Sequence, residues 1–125
     1  MADTPQWRIY ERVATAFEVE SVGMEATVIP NASIVGSISG AKRQIDILVD
    51  ARWEEGLSRR IIYDTKLRKR KIDIKDVESF EGMMRDVGAT RGVLVCAAGW
   101  SLAAQARAEH SIEIRLLPAN ELDDF

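Results

Sequence analysis

The chain has 125 residues, 46% hydrophobic and 30% charged, a balance that suits a single domain over residues 1–125 with a core of its own. One cysteine excludes an intramolecular disulfide and a Cys-based zinc centre, and one histidine argues against a catalytic triad, so chemistry falls to carboxylates and lysine. A net charge of −3 gives no overall pull toward nucleic acid.

Thr4-Pro5 is a good helix start, with a hydroxyl N-cap and proline at the first helical position. Trp7, Tyr10, Ala14, Phe17 and Ser21 share one stripe at helical spacing, predicting an amphipathic helix to about residue 20. Glu11 and Glu18 fall together at its margin. Glu25 to Ile29 reads as a strand broken at Pro30-Asn31, with 34–39 either continuing it or looping. Two strands follow, Gln44 to Asp50 and Arg60 to Lys66, around a polar turn at 53–58. Asp73 can cap a helix whose buried stripe is Ile74, Val77, Phe80, Met84 and Val87, with Gly88 as its stop. Arg91 to Ala98 lacks alternation, as a central parallel strand does. Ser101 caps a helix from Leu102 to Glu109, and Ile112 to Leu116 alternates as an edge strand. The core therefore runs from about 5 to 117, and 118–125 reads as a short tail. The order αβββαβαβ implies an α/β fold: a mixed sheet, antiparallel first and parallel later, with helices on both faces.

The hairpin carries the chemistry. Centred on Glu55, it pairs positions whose numbers sum to about 110, which sets Asp46 opposite Asp64. Lys66, two residues on, shares the face of Asp64. Carboxylates placed opposite each other repel, so a chain that keeps such a pair usually has a cation to set between them. Lys66 to Lys71 reads Lys-Leu-Arg-Lys-Arg-Lys, and Lys42-Arg43 precedes the other strand, so both basic clusters flank the acids.

This constellation resembles the PD-(D/E)XK, or restriction-endonuclease-like, nucleases: an acidic first helix, a strand bearing Asp, and a strand ending Asp/Glu-x-Lys. Arg43-Gln44-Ile45-Asp46, Asp64-Thr65-Lys66, Gly88-Ala89-Thr90-Arg91-Gly92-Val93-Leu94-Val95 and Gly99-Trp100-Ser101-Leu102 together resemble the catalytic domain of Mrr-like type IV restriction endonucleases, over roughly residues 7–117. The resemblance implies a restriction-endonuclease-like fold and a metal-dependent DNA endonuclease. In it, Asp46 and Asp64 bind Mg²⁺, with Mn²⁺ able to substitute, and Lys66 positions or activates the attacking water. Glu11, in a Tyr-Glu pair like that of the family's first helix, completes the metal site. Asp64 stands where Glu is usual. Lys42, Arg43, Arg68, Lys69, Arg70 and Lys71 are expected on backbone phosphates, which gives largely sequence-independent DNA binding. RNA and branched junctions stay open as substrates, and a double-strand cut would call for a homodimer.

The alternatives are plainer. The Asp46, Asp64 and Lys66 group could be a buried ion pair, Glu11 a surface acid beside Arg8, the basic run a solvated loop, and the whole chain a non-catalytic binding module. Cys96 reads as a small buried hydrophobe, His110 as a helix C-terminal cap, and Trp7 as core. No apolar run approaches the ~18 residues of a membrane span, and Met1-Ala2-Asp3-Thr4-Pro5 lacks signal-peptide character, so no membrane contact and a cytoplasmic location are expected.

Overall fold

The computed structural model describes residues 5–18, 24–53 and 56–124. Its elements are α1 (Pro5–Glu18), β1 (Met24–Val35), β2 (Lys42–Trp53), β3 (Ser58–Lys66), α2 (Ile74–Val87), β4 (Arg91–Cys96), α3 (Leu102–His110), β5 (Ile114–Pro118) and a 3₁₀ helix (Ala119–Asp124). The five strands lie in the order β1-β2-β3-β4-β5. β1/β2 and β2/β3 are antiparallel, while β3/β4 and β4/β5 are parallel, so the mixed sheet is as expected. No described helix is long and apolar enough to cross a membrane.

Two apolar layers sandwich the sheet. On one face α2 and α3 bring Val77, Phe80, Met84 and Ala104 against Ile45, Leu48, Ile62 and Leu94. On the other, α1 buries Ile9 and Val13 against Ile47, Val49, Tyr63 and Val95. Each fully buried aliphatic side chain is worth roughly 1.5–3 kcal/mol. The α1 stripe is therefore rotated from the expected one: Tyr10 and Phe17 flank it, and Trp7 is 46% exposed, a correction to its reading as core. Thr4, Ser21 and Gly23 lie outside the described residues.

Two other boundaries moved. Pro30 does not end the first strand, because β1 runs on to Val35 as an edge strand, where a missing N–H is tolerated. Ile112 is 87% exposed in the turn before β5, and the expected tail folds into the 3₁₀ helix, whose Ala119 packs on the α1-side layer. α2 matches its expected bounds, with a capping box between Asp73 and Asp76 and a left-handed Gly88 at its end, although Ile74 is exposed.

In regular strands, alternate residues share a face. Here the alternation inverts at one place in both β1 and β2. Val28 belongs to the α1 side but Ala32 and Ile34 to the α2 side; Ile47 and Val49 belong to the α1 side but Ile45 to the α2 side. The register pairs Pro30 with Ile47 and Ala32 with Ile45, and passes over Asn31 and Asp46. Asn31 sits at φ 51°, the left-handed conformation that Asn tolerates better than most residues. Asp46 is thereby freed from the β1 ladder.

The β1–β2 loop is tied to α2 by one carboxylate. Asp86 accepts from the N–H groups of Ile38 and Ser39 (3.0 and 2.9 Å), from Ser39 Oγ (2.6 Å) and from Arg43 Nη1 (2.8 Å). These bonds, led by the Ser39 hydroxyl, hold the Asp86 carboxyl down at about 2. Its stabilisation is accordingly present above the ordinary carboxylate range and lost as pH falls through about 2. Gly36 is required beneath it, since a Cβ there would stand 2.1 Å from Asp86 Oδ2. Gly36→Ala should cost about 1–3 kcal/mol in urea unfolding, and this cost should shrink in an Asp86→Ala background. An equal cost in both backgrounds would disprove the close approach.

Candidate active site

The site forms where β2 leaves β3. Their ladder runs from Arg52↔Ser58 to Ile47↔Tyr63, with paired numbers summing to 110, so the expected register holds and its next step sets Asp46 against Asp64. At that step a side chain takes over from the backbone. The Thr65 N–H donates to Asp46 Oδ2 at 2.8 Å, and the Thr65 hydroxyl donates to the same oxygen at 2.9 Å. Asp46 is thus aimed at the end of β3, and Asp64 lies close enough to feel its charge. Lys66 Nζ lies 3.1 Å from Asp64 Oδ2, with the two side chains 26% and 22% exposed.

Burial, reinforced by the neighbouring Asp46 carboxyl, pushes the Asp64 carboxyl up to about 6 against the pull of Lys66. Two neighbouring carboxyls, partly open to solvent, are a hard-oxygen donor set that fits a divalent cation. The parallel strands β3, β4 and β5 end on this side, with Lys66 beside Cys96 and Cys96 beside Pro118. Clefts beyond the carboxyl ends of parallel strands are where open α/β sheets bind ligands.

The expected residues are brought together unequally. Asp46, Asp64 and Lys66 converge. Glu11 does not join them: α1 turns Ile9 and Val13 inward, which leaves Glu11 exposed on the opposite side of the helix. No group of three or more His, Cys, Asp or Glu side chains able to hold a metal forms among the described residues. The Glu18 side chain lies outside them.

The basic residues divide into two kinds. Arg43 is committed to Asp86, Arg68 to Asp76 at 2.7 Å, and Arg70 to Asp73 at 3.3 Å. Lys42, Lys69 and Lys71 are exposed and form no ion pair among the described residues. The 67–71 loop is held beside the site because Ile72 donates to Gly99 O and accepts from Ser101 N–H. Cys96 is buried, as expected, and burial followed by the nearby Asp64 charge pushes its thiol up to about 11. His110 is exposed as the last residue of α3. Sequence reasoning gave Thr65 no role. Its signal was slight: a hydroxyl one residue past Asp64, on the face opposite to it.

Comparisons with known proteins bear on the fold and the family. Among solved structures, the chain is similar to a protein of unknown function, AF1548, with TM-score 0.60, 18% identity and coverage of 88% of this chain and 57% of that one. It is also similar to a repair endonuclease from Pyrococcus abyssi, with TM-score 0.54, 14% identity and coverage of 94% and 47%. EndoMS in complex with double-stranded DNA gives TM-score 0.52, 18% identity and coverage of 94% and 46%. At these identities the likeness shows the fold, and the chain spans about half the length of the structures it matches. No curated protein matches the sequence. The restriction endonuclease family Mrr_cat matches residues 19–125, and the chain belongs to that family.

Proposed function

We propose that this chain is a Mg²⁺-dependent endonuclease that hydrolyses DNA phosphodiester bonds, with Mn²⁺ able to replace Mg²⁺. The observation that carries the reading is the convergence of Asp46, Asp64 and Lys66 at a solvent-accessible strand end. Family membership and a fold shared with a repair endonuclease and a DNA-bound EndoMS support it. Asp46 and Asp64 would hold the cation, and water and substrate oxygens would fill the positions that Glu11 does not. When bound, Mg²⁺ supplies a lowered pKa to its water and a clamp on a phosphate oxygen. Thr65 fixes the Asp46 carboxylate in place, so no reorganisation is needed when substrate arrives. As an ammonium, Lys66 offsets carboxylate repulsion and would stabilise the negative charge that grows on the phosphate as water adds and the leaving oxygen departs; partly desolvated and neutral, it would instead take the proton of the attacking water. One such site cuts one strand, so a homodimer is the form that would cut both.

Plasmid nicking with Mg²⁺ tests the assignment. Asp46→Ala, Asp64→Ala and Lys66→Ala should each lower the rate by at least about 100-fold, whereas Glu11→Ala should leave it within a few-fold. Intact plasmid, single-stranded and branched DNA after incubation with the wild type would reject the reading.

The raised Asp64 carboxyl sets a pH dependence. Its ionised form is disfavoured in the folded state, so its contribution to stability is full below about 4 and lost as pH rises through about 6. Added Mg²⁺ should therefore raise the Tm more at about pH 8 than at about pH 5, because only the ionised pair holds the cation. Asp64→Asn should abolish that difference; an Mg²⁺ shift equal to wild type would remove Asp64 from the metal site.

The exposed lysines set the salt dependence of binding. Lys69→Ala and Lys71→Ala should each weaken DNA binding uniformly across sequences and reduce the slope of log K against log salt by ~1. Arg43→Ala should instead lower stability through the loss of its tie to Asp86, with the salt slope unchanged.

A further inference from the structure

Beside the carboxylate pair, between α1 and the first hairpin, lies a cleft of about 140 Å³ lined by Gln6, Trp7, Tyr10, Asn31 and Asp46 among others. It is well below the ~300 Å³ of pockets that enclose a drug-sized ligand, a size that suits one flat ring system. Trp7 is 46% exposed although large aromatics usually lie inside, and its ring stands 5.0 Å from that of Tyr10 at a tilt of 37°. Gln6 Nε2 donates to Asn31 Oδ1 at 3.5 Å, which places two side-chain amides beside the rings. Asn31 is the one non-glycine residue with positive φ among those described, a conformation retained where the surroundings demand it. Asp46 belongs both to this cleft and to the carboxylate pair, so an occupant of the cleft would adjoin a phosphate held at Asp64 and Lys66.

We propose that the cleft receives the nucleobase next to the scissile phosphate, turned out of its stack onto Trp7 and Tyr10, with the Gln6 and Asn31 amides at its edge. The proposal rests on the nuclease reading and specifies its substrate: nucleic acid with an unpaired nucleotide at the cut. Every base has a π face, so aromatic stacking tolerates any sequence, whereas the amides discriminate only weakly among base edges. A paired base must first be extruded at a cost that a gap, mismatch or single strand has already met. Perfectly paired duplex is accordingly the poorer ligand.

The test uses one duplex sequence in two forms, fully paired and with a one-nucleotide gap that leaves a 2-aminopurine unpaired, titrated with protein in the absence of added metal. Wild type should bind the gapped form more tightly and quench the 2-aminopurine. Trp7→Ala, which alters an exposed side chain, should weaken gapped binding by roughly 5- to 150-fold and abolish quenching, with paired-duplex binding unchanged. Trp7→Phe should restore most of both. An unchanged gapped-to-paired ratio and unchanged quenching in Trp7→Ala, or no binding of either DNA by wild type, overturns the proposal. Cleavage with Mg²⁺ on the same DNAs separates the two readings. Cutting that accompanies Trp7-insensitive binding strikes the cleft alone, whereas Trp7-dependent quenching without any cutting upholds the cleft and strikes the nuclease assignment.

Discussion

The bond from the Thr65 N–H to the Asp46 carboxylate is the contact on which the arrangement depends. A backbone donor at the end of a paired strand needs an acceptor, and an antiparallel ladder would supply a carbonyl. Here a side chain supplies it instead. That exchange lets β2 leave β3 while still being held to it. It opens the strand end to solvent and fixes a carboxylate beside Asp64. The same oxygen takes the Thr65 hydroxyl, so the Asp46 rotamer is set by two donors before any ligand enters.

The inversion at Asn31 and Asp46 makes this possible. A strand that alternated regularly would bury Asp46 with Leu48 against α2, where an unpaired carboxylate is costly. Switching faces at one residue pair lets Ile45 and Leu48 serve one apolar layer and Ile47 and Val49 the other. Asp46 sits at the switch and belongs to neither. The two layers therefore meet the sheet on either side of the polar strand end, and the Asp86 anchor holds the loop that joins the two inverted strands.

Much of this was legible in the residues. The 110 register followed from the turn centre alone, because side-chain period and hairpin symmetry leave little freedom once the centre is known. The bounds of α2 followed from Asp73 and Gly88, which act locally. What could not be read depends on tertiary choices. Trp7 and Ile9 are both apolar, and only the docked sheet decides which faces inward. Glu11 carried a family expectation that the rotated helix does not meet. Pro30 looked like a break because strand interiors exclude it, but an edge strand has a side with no partner to satisfy. Arg43 and Arg68 looked like phosphate contacts by charge, and each proved to be held by a carboxylate distant in sequence or lying across a turn.

The lone thiol has a consequence of its own. Cys96 lies on the central parallel strand beside Lys66, sealed and pushed to about 11, so in the native state it is neither a nucleophile nor a site of oxidation. An alkylating reagent can reach it only when the middle of the sheet parts. Its labelling rate is thus a clock for how often the strands beneath Lys66 come undone, read from the one thiol in the sequence.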